Sequence, residues 1–291
     1  MRFRFIEGQR QVFPVHRLCE VLDVTPSGYY AWRKRPVSAR EMANQELVDR
    51  IVRVQTDNYR TYGSPRVYQE LKAQGVACSR NRVARLMRLY HLGAKRTKRF
   101  RATTRPNKAR LVAPNLLKQD FSAQGLGERW LADITYIPTL EGWLYLAAIV
   151  EMYSRYVAGW AVAERMTTDL TIQALSMALQ RRPPKPGLIH HSDHGSQYTD
   201  QRYQALLQKY GIQASMNSAG SWYDNAPMES FFGTLKSELV NHRTYASRAE
   251  ARSDLFYYIE AFYNRRRRHS SLGYLSPKIY ERLHHEHATE A

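Results

Sequence analysis

The chain has 291 residues, of which 43% are hydrophobic, and a formal net charge of +18 at pH 7. Apolar content at this level excludes a disordered chain and supplies side chains for one sizeable domain and a smaller one. The longest apolar run, residues 143–150, is shorter than the roughly 20 residues that cross a bilayer, and no signal-peptide pattern is visible. Two cysteines, Cys19 and Cys78, are too few for a disulfide framework or a cysteine-rich zinc site. We therefore expect a cytoplasmic protein with no membrane partner.

The positive charge indicates a polyanionic partner, because an excess of this size attracts phosphate-rich molecules. Residues 79–110 contain twelve Lys and Arg and no Asp or Glu. A solubility tail or a membrane-surface patch is the alternative. It ranks lower because the segment continues from a helix-turn-helix pattern and lacks an apolar face. Nucleic acid is the expected partner.

The first third of the chain is predicted to be helical. Two short helices are predicted within residues 14–33, in an N-terminal element that covers residues 1–38. The longer helices that follow are predicted over residues 40–57, 64–74 and 80–91. Ser79 is a candidate N-cap of the last one. This succession outlines a helix-turn-helix DNA-binding domain at residues 39–93.

Arginines on the last of these helices avoid its apolar face, as the recognition helix of a major-groove reader requires. The DNA contacts predicted on it are Arg80, Arg82, Arg85 and Arg88. A basic helical hairpin in ordinary packing is the alternative. Residues 94–125 are predicted to be a basic linker that lies along a phosphate backbone. The DNA contacts predicted in the linker are Lys95, Arg96, Lys98 and Arg99.

From residue 126 to residue 283 the pattern changes to an α/β domain, followed by a polar tail at residues 284–291. The first three strands, predicted as an antiparallel meander, cover residues 130–137, 143–151 and 156–163. The order that follows is helix, strand, helix, strand, helix, helix, at residues 168–180, 188–191, 199–210, 212–214, 222–238 and 247–263. The middle strand of the meander is apolar on both faces. We therefore expect a mixed five-stranded sheet with helices on both faces.

Three carboxylates stand at positions where catalytic sites form. Asp133 lies within the first strand, where an ionised group is costly without a compensating partner. Asp193 follows the fourth strand, and Glu229 lies in the first turn of a helix, whose dipole favours its charged form. If these elements converge, the acids would bind hard divalent cations such as Mg²⁺, which suit phosphoryl transfer on nucleic acid. Separately, Asp193 could be a turn residue and Glu229 a helix-start acid.

Basic groups accompany the acids. Lys236 lies seven residues after Glu229 on a shared helix face, where its ammonium suits phosphate. Residues 265–268 are four consecutive arginines and are predicted to form a phosphate-binding patch through Arg266 and Arg267, with a solvated charge run as the alternative. Three histidines near the fourth strand lack the spacing of a zinc site and are expected to orient groups or contact DNA at most: His190, His191 and His194.

Taken together, these motifs resemble the OrfB-type transposases of the insertion-sequence three family, whose catalytic core is similar to retroviral integrases. The stretches that carry the resemblance are residues 130–135, 191–198, 224–238 and 263–274, with residues 62–67 upstream. The 35 residues between Asp193 and Glu229 equal the family spacing.

The resemblance implies a ribonuclease-H-like integrase catalytic core at residues 126–283 and a DDE transposase, an integrase-type polynucleotidyl transferase. Asp133, Asp193 and Glu229 would be the catalytic triad and would bind two Mg²⁺ ions, with Mn²⁺ as a substitute. Lys236 would contact DNA beside them. The implied reaction is metal-dependent cleavage at the ends of the insertion sequence, followed by strand transfer without a covalent protein intermediate.

The implied partners are double-stranded DNA, further copies of the chain on that DNA, and an upstream OrfA-type protein, with the nucleoid as the place of action. Two other functions stay open at this point. A non-catalytic DNA-binding regulator would explain the helices and the charge but not the three acids. A structure-specific nuclease of ribonuclease-H fold would use the same metals without joining DNA ends.

Overall fold

The computed structural model describes residues 1–95, 113–218 and 223–289. The chain divides into two compact units, Met1–Val52 and Arg53–Ala291. Three of the predicted DNA contacts in the linker, Arg96, Lys98 and Arg99, lie outside the described residues.

The first unit is helical, as predicted. Its helices are α1 (Arg2–Gln9), α2 (Val15–Val21) and α3 (Pro26–Lys34), and α4 (Ala39–Asp57) begins in it. Ile6, Cys19 and Tyr29 form its buried core. The Thr25 hydroxyl caps α3 by accepting from the Gly28 N–H at 3.1 Å. Helix α1 was not predicted, because its sequence offers neither a capping side chain nor an apolar stripe of helical period.

The second unit opens with the end of α4 and with α5 (Ser64–Ala73) and α6 (Arg80–Leu89). Val67 and Leu71 of α5 and Val83 and Leu86 of α6 are buried where the two helices pack. The Ser79 hydroxyl accepts from the Arg82 N–H at 3.2 Å, which confirms the predicted N-cap.

The sheet contains β1 (Arg129–Thr139), β2 (Gly142–Glu151), β3 (Val157–Ala163), β4 (Ile189–Ser192) and β5 (Gln213–Met216). Their order across the sheet is β3-β2-β1-β4-β5. The first three strands are antiparallel, whereas β4 runs parallel to β1 and β5 parallel to β4. This is the mixed five-stranded arrangement of a ribonuclease-H-like fold, as predicted.

Helices cover both faces of the sheet. On one face α7 (Thr168–Arg181) packs against β2 and β3. Its approach to Gly159 is so close that an added Cβ would lie 2.1 Å from the Ala174 carbonyl oxygen, so only glycine fits. On the other face α10 (Ala226–Glu238) and α11 (Arg248–Phe256) contact β1, and α11 also contacts β2. The predicted covering of both faces is therefore confirmed.

Several boundaries differ from the prediction. The helix predicted at 199–210 is α9 (Gln201–Lys209), which begins after Asp200 because the Asp200 carboxylate caps it by accepting from the Arg202 N–H; a short helix, α8 (Ser196–Thr199), precedes it. The helix predicted from residue 222 begins at Ala226. Helix α11 continues into a π-helical turn, Tyr257–Tyr263, and the predicted polar tail from residue 284 is helical to the end of α12 (Pro277–Thr289). No helix among the described residues is long and apolar enough to cross a membrane.

Candidate active site

Asp133 lies on β1, on the sheet face that α10 covers. Protein surrounds its carboxyl group closely, although part of it stays accessible to solvent. The Ile134 N–H donates to its Oδ1 at 2.7 Å. Burial, followed by the negative charges of Asp193 and Glu229, raises the pKa of Asp133 from its ordinary 3.8 to about 8. Asp133 is therefore an acid with too little positive charge around it to ionise easily.

Asp193 directly follows β4, the strand that pairs in parallel with β1. The register pairs Leu131 with His191, two residues before each aspartate, and the negative charge of Asp193 acts on Asp133. The Gly195 N–H donates to Asp193 Oδ1 at 3.0 Å, and a Cβ on Gly195 would approach that oxygen to 2.9 Å. Burial raises the pKa of Asp193 as well. The fold thus brings a carboxyl group on β1 and one directly after β4 within electrostatic range of each other.

Glu229 lies in the first turn of α10 and is exposed. Its negative charge is one of the groups that raise the pKa of Asp133, so its carboxylate is within electrostatic range of that residue. Asn225 precedes the helix and makes no side-chain cap bond to it. Its Nδ2 donates to the Ala132 carbonyl oxygen at 3.1 Å. This bond attaches the start of α10 to β1 beside Asp133.

Lys236 also faces the acids. Its ammonium lies 4.6 Å from the centre of the Tyr136 ring, and its positive charge lowers the pKa of Asp133. Burial lowers the pKa of Lys236, and the charge of Asp133 opposes that effect. The apolar side chains of α10 and of the residue after it are buried, namely Phe231, Phe232, Leu235 and Leu239. The helix therefore presents one face to the core and the other to the site.

The donors at the site fit a hard divalent cation in their chemistry, because carboxylate oxygens are the ligands that Mg²⁺ prefers. Two buried polar atoms nearby, the Tyr198 hydroxyl and Asn225 Oδ1, have no hydrogen-bond partner among the described residues. The charges of Asp133 and Asp193 both act on Tyr198. The described part of the chain contains no group of three or more His, Cys, Asp or Glu side chains already arranged to hold a metal. The two aspartates fit a cation, whereas a third ligand is not assembled around them.

The histidines near β4 make structural contacts. His191 Nδ1 lies 2.8 Å from the Ser215 hydroxyl and Nε2 lies 2.8 Å from Asn217 Oδ1. His190 Nε2 lies 3.0 Å from the Tyr203 hydroxyl, and burial lowers the pKa of His190 to about 3. Both imidazoles are therefore neutral at physiological pH and hold β4 in place.

Asp224 is a residue whose part in the site the sequence did not reveal. It is buried, and its carboxylate accepts from Asn115 Nδ2 at 2.8 Å, Gln119 Nε2 at 3.1 Å and the Ser218 N–H at 2.7 Å. These bonds tie the segment before β1 to the turn before α10. A signal was available, since an Asp-Asn pair ahead of Pro227 is typical of a structured turn.

Most of the described basic residues predicted to bind DNA lie at the surface. On α6, Arg80, Arg85 and Arg88 are exposed and Arg82 is partly so, all away from the buried side. Lys95 and Arg266 are exposed too.

The structure contradicts the prediction for Arg267. Its side chain is buried and its guanidinium donates to both oxygens of Glu238, at 2.8 and 2.7 Å. A group enclosed and paired in this way has no surface to offer a phosphate.

Family comparisons agree with this architecture. The integrase core domain model matches residues 123–221, a second model of that description matches residues 210–277, and an HTH-like domain model matches residues 42–100. A ribonuclease-H-like sheet with one acid on β1 and another directly after the adjacent β4, preceded in the sequence by a helix-turn-helix region, defines a DDE-type polynucleotidyl transferase with an integrase core.

Two proteins of similar sequence identify the family within this class of enzymes. "Insertion element IS600 uncharacterized 31 kDa protein" of Shigella sonnei is 44% identical over 93% of this chain and 100% of its own length. "Transposase InsF for insertion sequence IS3A" of Escherichia coli (strain K12) is 41% identical over 97% of this chain and 98% of its own length. The chain belongs to the family of IS3 insertion-sequence transposases.

Solved structures of viral integrases are more distant. The simian T-cell lymphotropic virus intasome in complex with PP2A regulatory subunit B56 gamma superposes with a TM-score of 0.45 at 13% identity, over 79% of this chain and 74% of that one. The HTLV-2 integrase catalytic core domain in complex with magnesium gives a TM-score of 0.38 at 18% identity, over 52% of this chain and 92% of that one.

Proposed function

We propose that the chain is the DNA transposase of an insertion sequence, which cleaves DNA at the element ends and transfers the exposed 3′-hydroxyl strand to target DNA. The observation that carries the proposal is the pair of aspartates, one on β1 and one directly after the adjacent β4, whose pKa values are both raised. Two carboxyl groups in such surroundings are suited to a divalent cation, and perturbed groups of this kind concentrate at catalytic sites.

We propose Asp133, Asp193 and Glu229 as the residues that hold the metal, with two Mg²⁺ ions as the natural complement and Mn²⁺ as a substitute. When bound, such ions stabilise the charge on the attacking and leaving oxygens of a phosphoryl transfer. Amide N–H groups already orient the two aspartates, and Lys236 would bind a DNA phosphate beside them.

The remaining basic residues would bind the phosphate backbone of double-stranded DNA. We assign this part to Arg80, Arg82, Arg85, Arg88, Lys95, Arg96, Lys98, Arg99 and Arg266, and we withdraw Arg267. A helix-turn-helix domain at residues 39–93 would recognise the element ends, joined by a linker to the catalytic core at residues 126–283. Further copies of the chain and an upstream OrfA-type protein would complete the assembly on the nucleoid.

The test is Asp133→Asn in the purified full-length chain, assayed with Mg²⁺ on duplexes that carry the element ends. We expect strand transfer to disappear, whereas Asp169→Asn, which removes an exposed carboxylate on α7, should leave it unchanged. Strand transfer that survives Asp133→Asn would refute the proposal. Hydrolysis of an RNA–DNA hybrid without end joining would favour the nuclease instead.

A further inference from the structure

The run of four arginines divides into an exposed half and an enclosed half. Arg265 and Arg266 are exposed, whereas Arg267 is buried and Arg268 is partly buried. Arg267 forms a two-pronged ion pair with Glu238, the last residue of α10, in which the two side chains are 6% and 7% exposed. The Tyr258 hydroxyl donates to the same carboxylate at 2.7 Å. A planar guanidinium bound through two nitrogens fixes both position and angle, so this pair holds the end of α10 firmly.

Arg268 holds a different part of the molecule. Its Nε donates to Glu70 of α5 at 2.6 Å, and its backbone N–H donates to the Tyr62 hydroxyl at 2.8 Å. Its Nη1 donates to the Tyr274 carbonyl oxygen at 3.0 Å, which fixes the guanidinium from the core side. Two consecutive residues thus attach to two different elements. Arg267 binds α10, whereas Arg268 binds Tyr62 and Glu70 of residues 53–93, which we call the helix-turn-helix segment.

Aromatic side chains extend the same junction. The Tyr59 ring packs edge-on against Phe262 at 4.8 Å and against Tyr258 at 5.9 Å between ring centres. Tyr62 is fully buried, and the Arg66 guanidinium lies over its ring. Aromatic pairs of this kind add stability beyond the area they bury. The contact between the helix-turn-helix segment and residues 258–274 is therefore a packed interface of several buried side chains rather than a single ion pair at the surface.

We propose that Arg267 and Arg268 are positioning residues that couple α5 to α10. The packed position of the helix-turn-helix segment would then set the orientation of α10, the helix that carries Glu229. The inference rests on the proposed function for the role of Glu229. Glu229 precedes Glu238 by nine residues on the same helix, which is about 13 Å along the helix axis, so a tilt of α10 at Glu238 displaces Glu229. Small errors in the placement of a catalytic group lower rates strongly, by about 100-fold for 1 Å.

Contiguity alone does not demonstrate coupling, so the experiment measures it. Glu70→Gln removes the negative charge of this ion pair and weakens the 2.6 Å bond of Arg268 with little change of shape, and both side chains keep some solvent contact, 18% and 25%, so the fold should survive. Glu281→Gln is the matched control. It removes the charge from a 2.6 Å ion pair with Arg182 of similar exposure, 19% and 15%, outside the helix-turn-helix segment, and the Gln oxygen can keep the bond from the Ser154 hydroxyl.

The full-length variants are assayed by joining a pre-cleaved end duplex to target DNA with Mg²⁺. We expect Glu70→Gln to lower kcat about tenfold. The KM for the end duplex and its Kd should stay within about twofold of the wild type, because the recognition helix is intact. Glu281→Gln should show the same fall in Tm without the fall in kcat. An unchanged kcat in Glu70→Gln, an equal loss in both variants, or a Kd that rises in step with the loss would each overturn the proposal.

A second measurement needs no catalysis. Amide hydrogen exchange is followed in peptides of α10 in the DNA-free protein, where coupling predicts about fivefold faster exchange in Glu70→Gln but not in Glu281→Gln. Unchanged exchange in Glu70→Gln would overturn the proposal by itself. If the wild-type chain failed to join ends, the proposed function would fall, while the exchange result would still decide the coupling.

Discussion

Replacing Asp133 with Asn should stabilise the metal-free protein at neutral and alkaline pH. Folding raises the pKa of Asp133 from 3.8 to about 8, so the native state retains a proton that the unfolded chain releases. For an acid whose folded pKa is raised, stability falls as pH rises from about 4 to 8, and the full cost is present above pH 8. Asparagine has nearly the same shape and no charge to bury.

The magnitude follows from the interval between the unfolded pKa and the working pH. At about 1.4 kcal/mol per pKa unit from 3.8 to pH 7, the upper bound is about 4 kcal/mol. Because the carboxyl group keeps some contact with solvent, we expect a gain of about 1–2 kcal/mol.

Urea unfolding in EDTA at several pH values would check this expectation. The stability difference between Asp133→Asn and the wild type should be near zero at pH 4 and largest at pH 8 or above, and Asp169→Asn should show no such trend. Added Mg²⁺ should reduce this difference in unfolding free energy, because only the wild-type site is stabilised by binding the ion. A variant less stable than the wild type at pH 8, or a difference independent of pH, would refute the reasoning.

Four further predictions concern other parts of the molecule. Glu238→Gln should cost about 3–5 kcal/mol in urea unfolding, because Arg267 stays buried without its counter-charge; a cost below about 1 kcal/mol would contradict the pairing. Gly159→Ala should cost about 2–3 kcal/mol in thermal unfolding, since the new Cβ meets a carbonyl oxygen of α7; an unchanged Tm would contradict the close approach. Lys236→Ala should weaken strand transfer while its circular dichroism stays that of the wild type, and unchanged DNA crosslinking at that position would count against the contact. Arg88→Ala should lower the slope of log affinity against log salt by about 1, measured by fluorescence anisotropy on end DNA.

The sheet could be predicted because its strands carry strong local signals. Aromatic and branched residues separated by short turns mark β1, β2 and β3, and the apolar faces of β2 predict helices above and below. The convergence of Asp133 and Asp193 depends on the parallel pairing of β1 with β4, which joins residues about sixty positions apart. That pairing is nonlocal, and the family resemblance rather than any local pattern led to it.

The errors also have physical causes. Four adjacent arginines look alike in sequence, but Arg267 alone of the four is buried, and it pairs with Glu238, 29 residues earlier in the chain. No local pattern reports that distant partner. The Nδ2 of Asn225 likewise has its partner far away in the sequence, the Ala132 carbonyl oxygen of β1. In both places a tertiary partner decides what a side chain does.

Glu238 stands at the carboxyl end of α10, where the partial negative charge of the helix dipole opposes a carboxylate by about 0.3–1 kcal/mol. A helix selected for its own stability would carry Lys or Arg at this position. The glutamate is therefore favourable only while Arg267 faces it. Among relatives we expect positions 238 and 267 to change together, with the acid lost wherever the arginine is lost. An alignment alone would then show which relatives keep this ion pair at the end of α10.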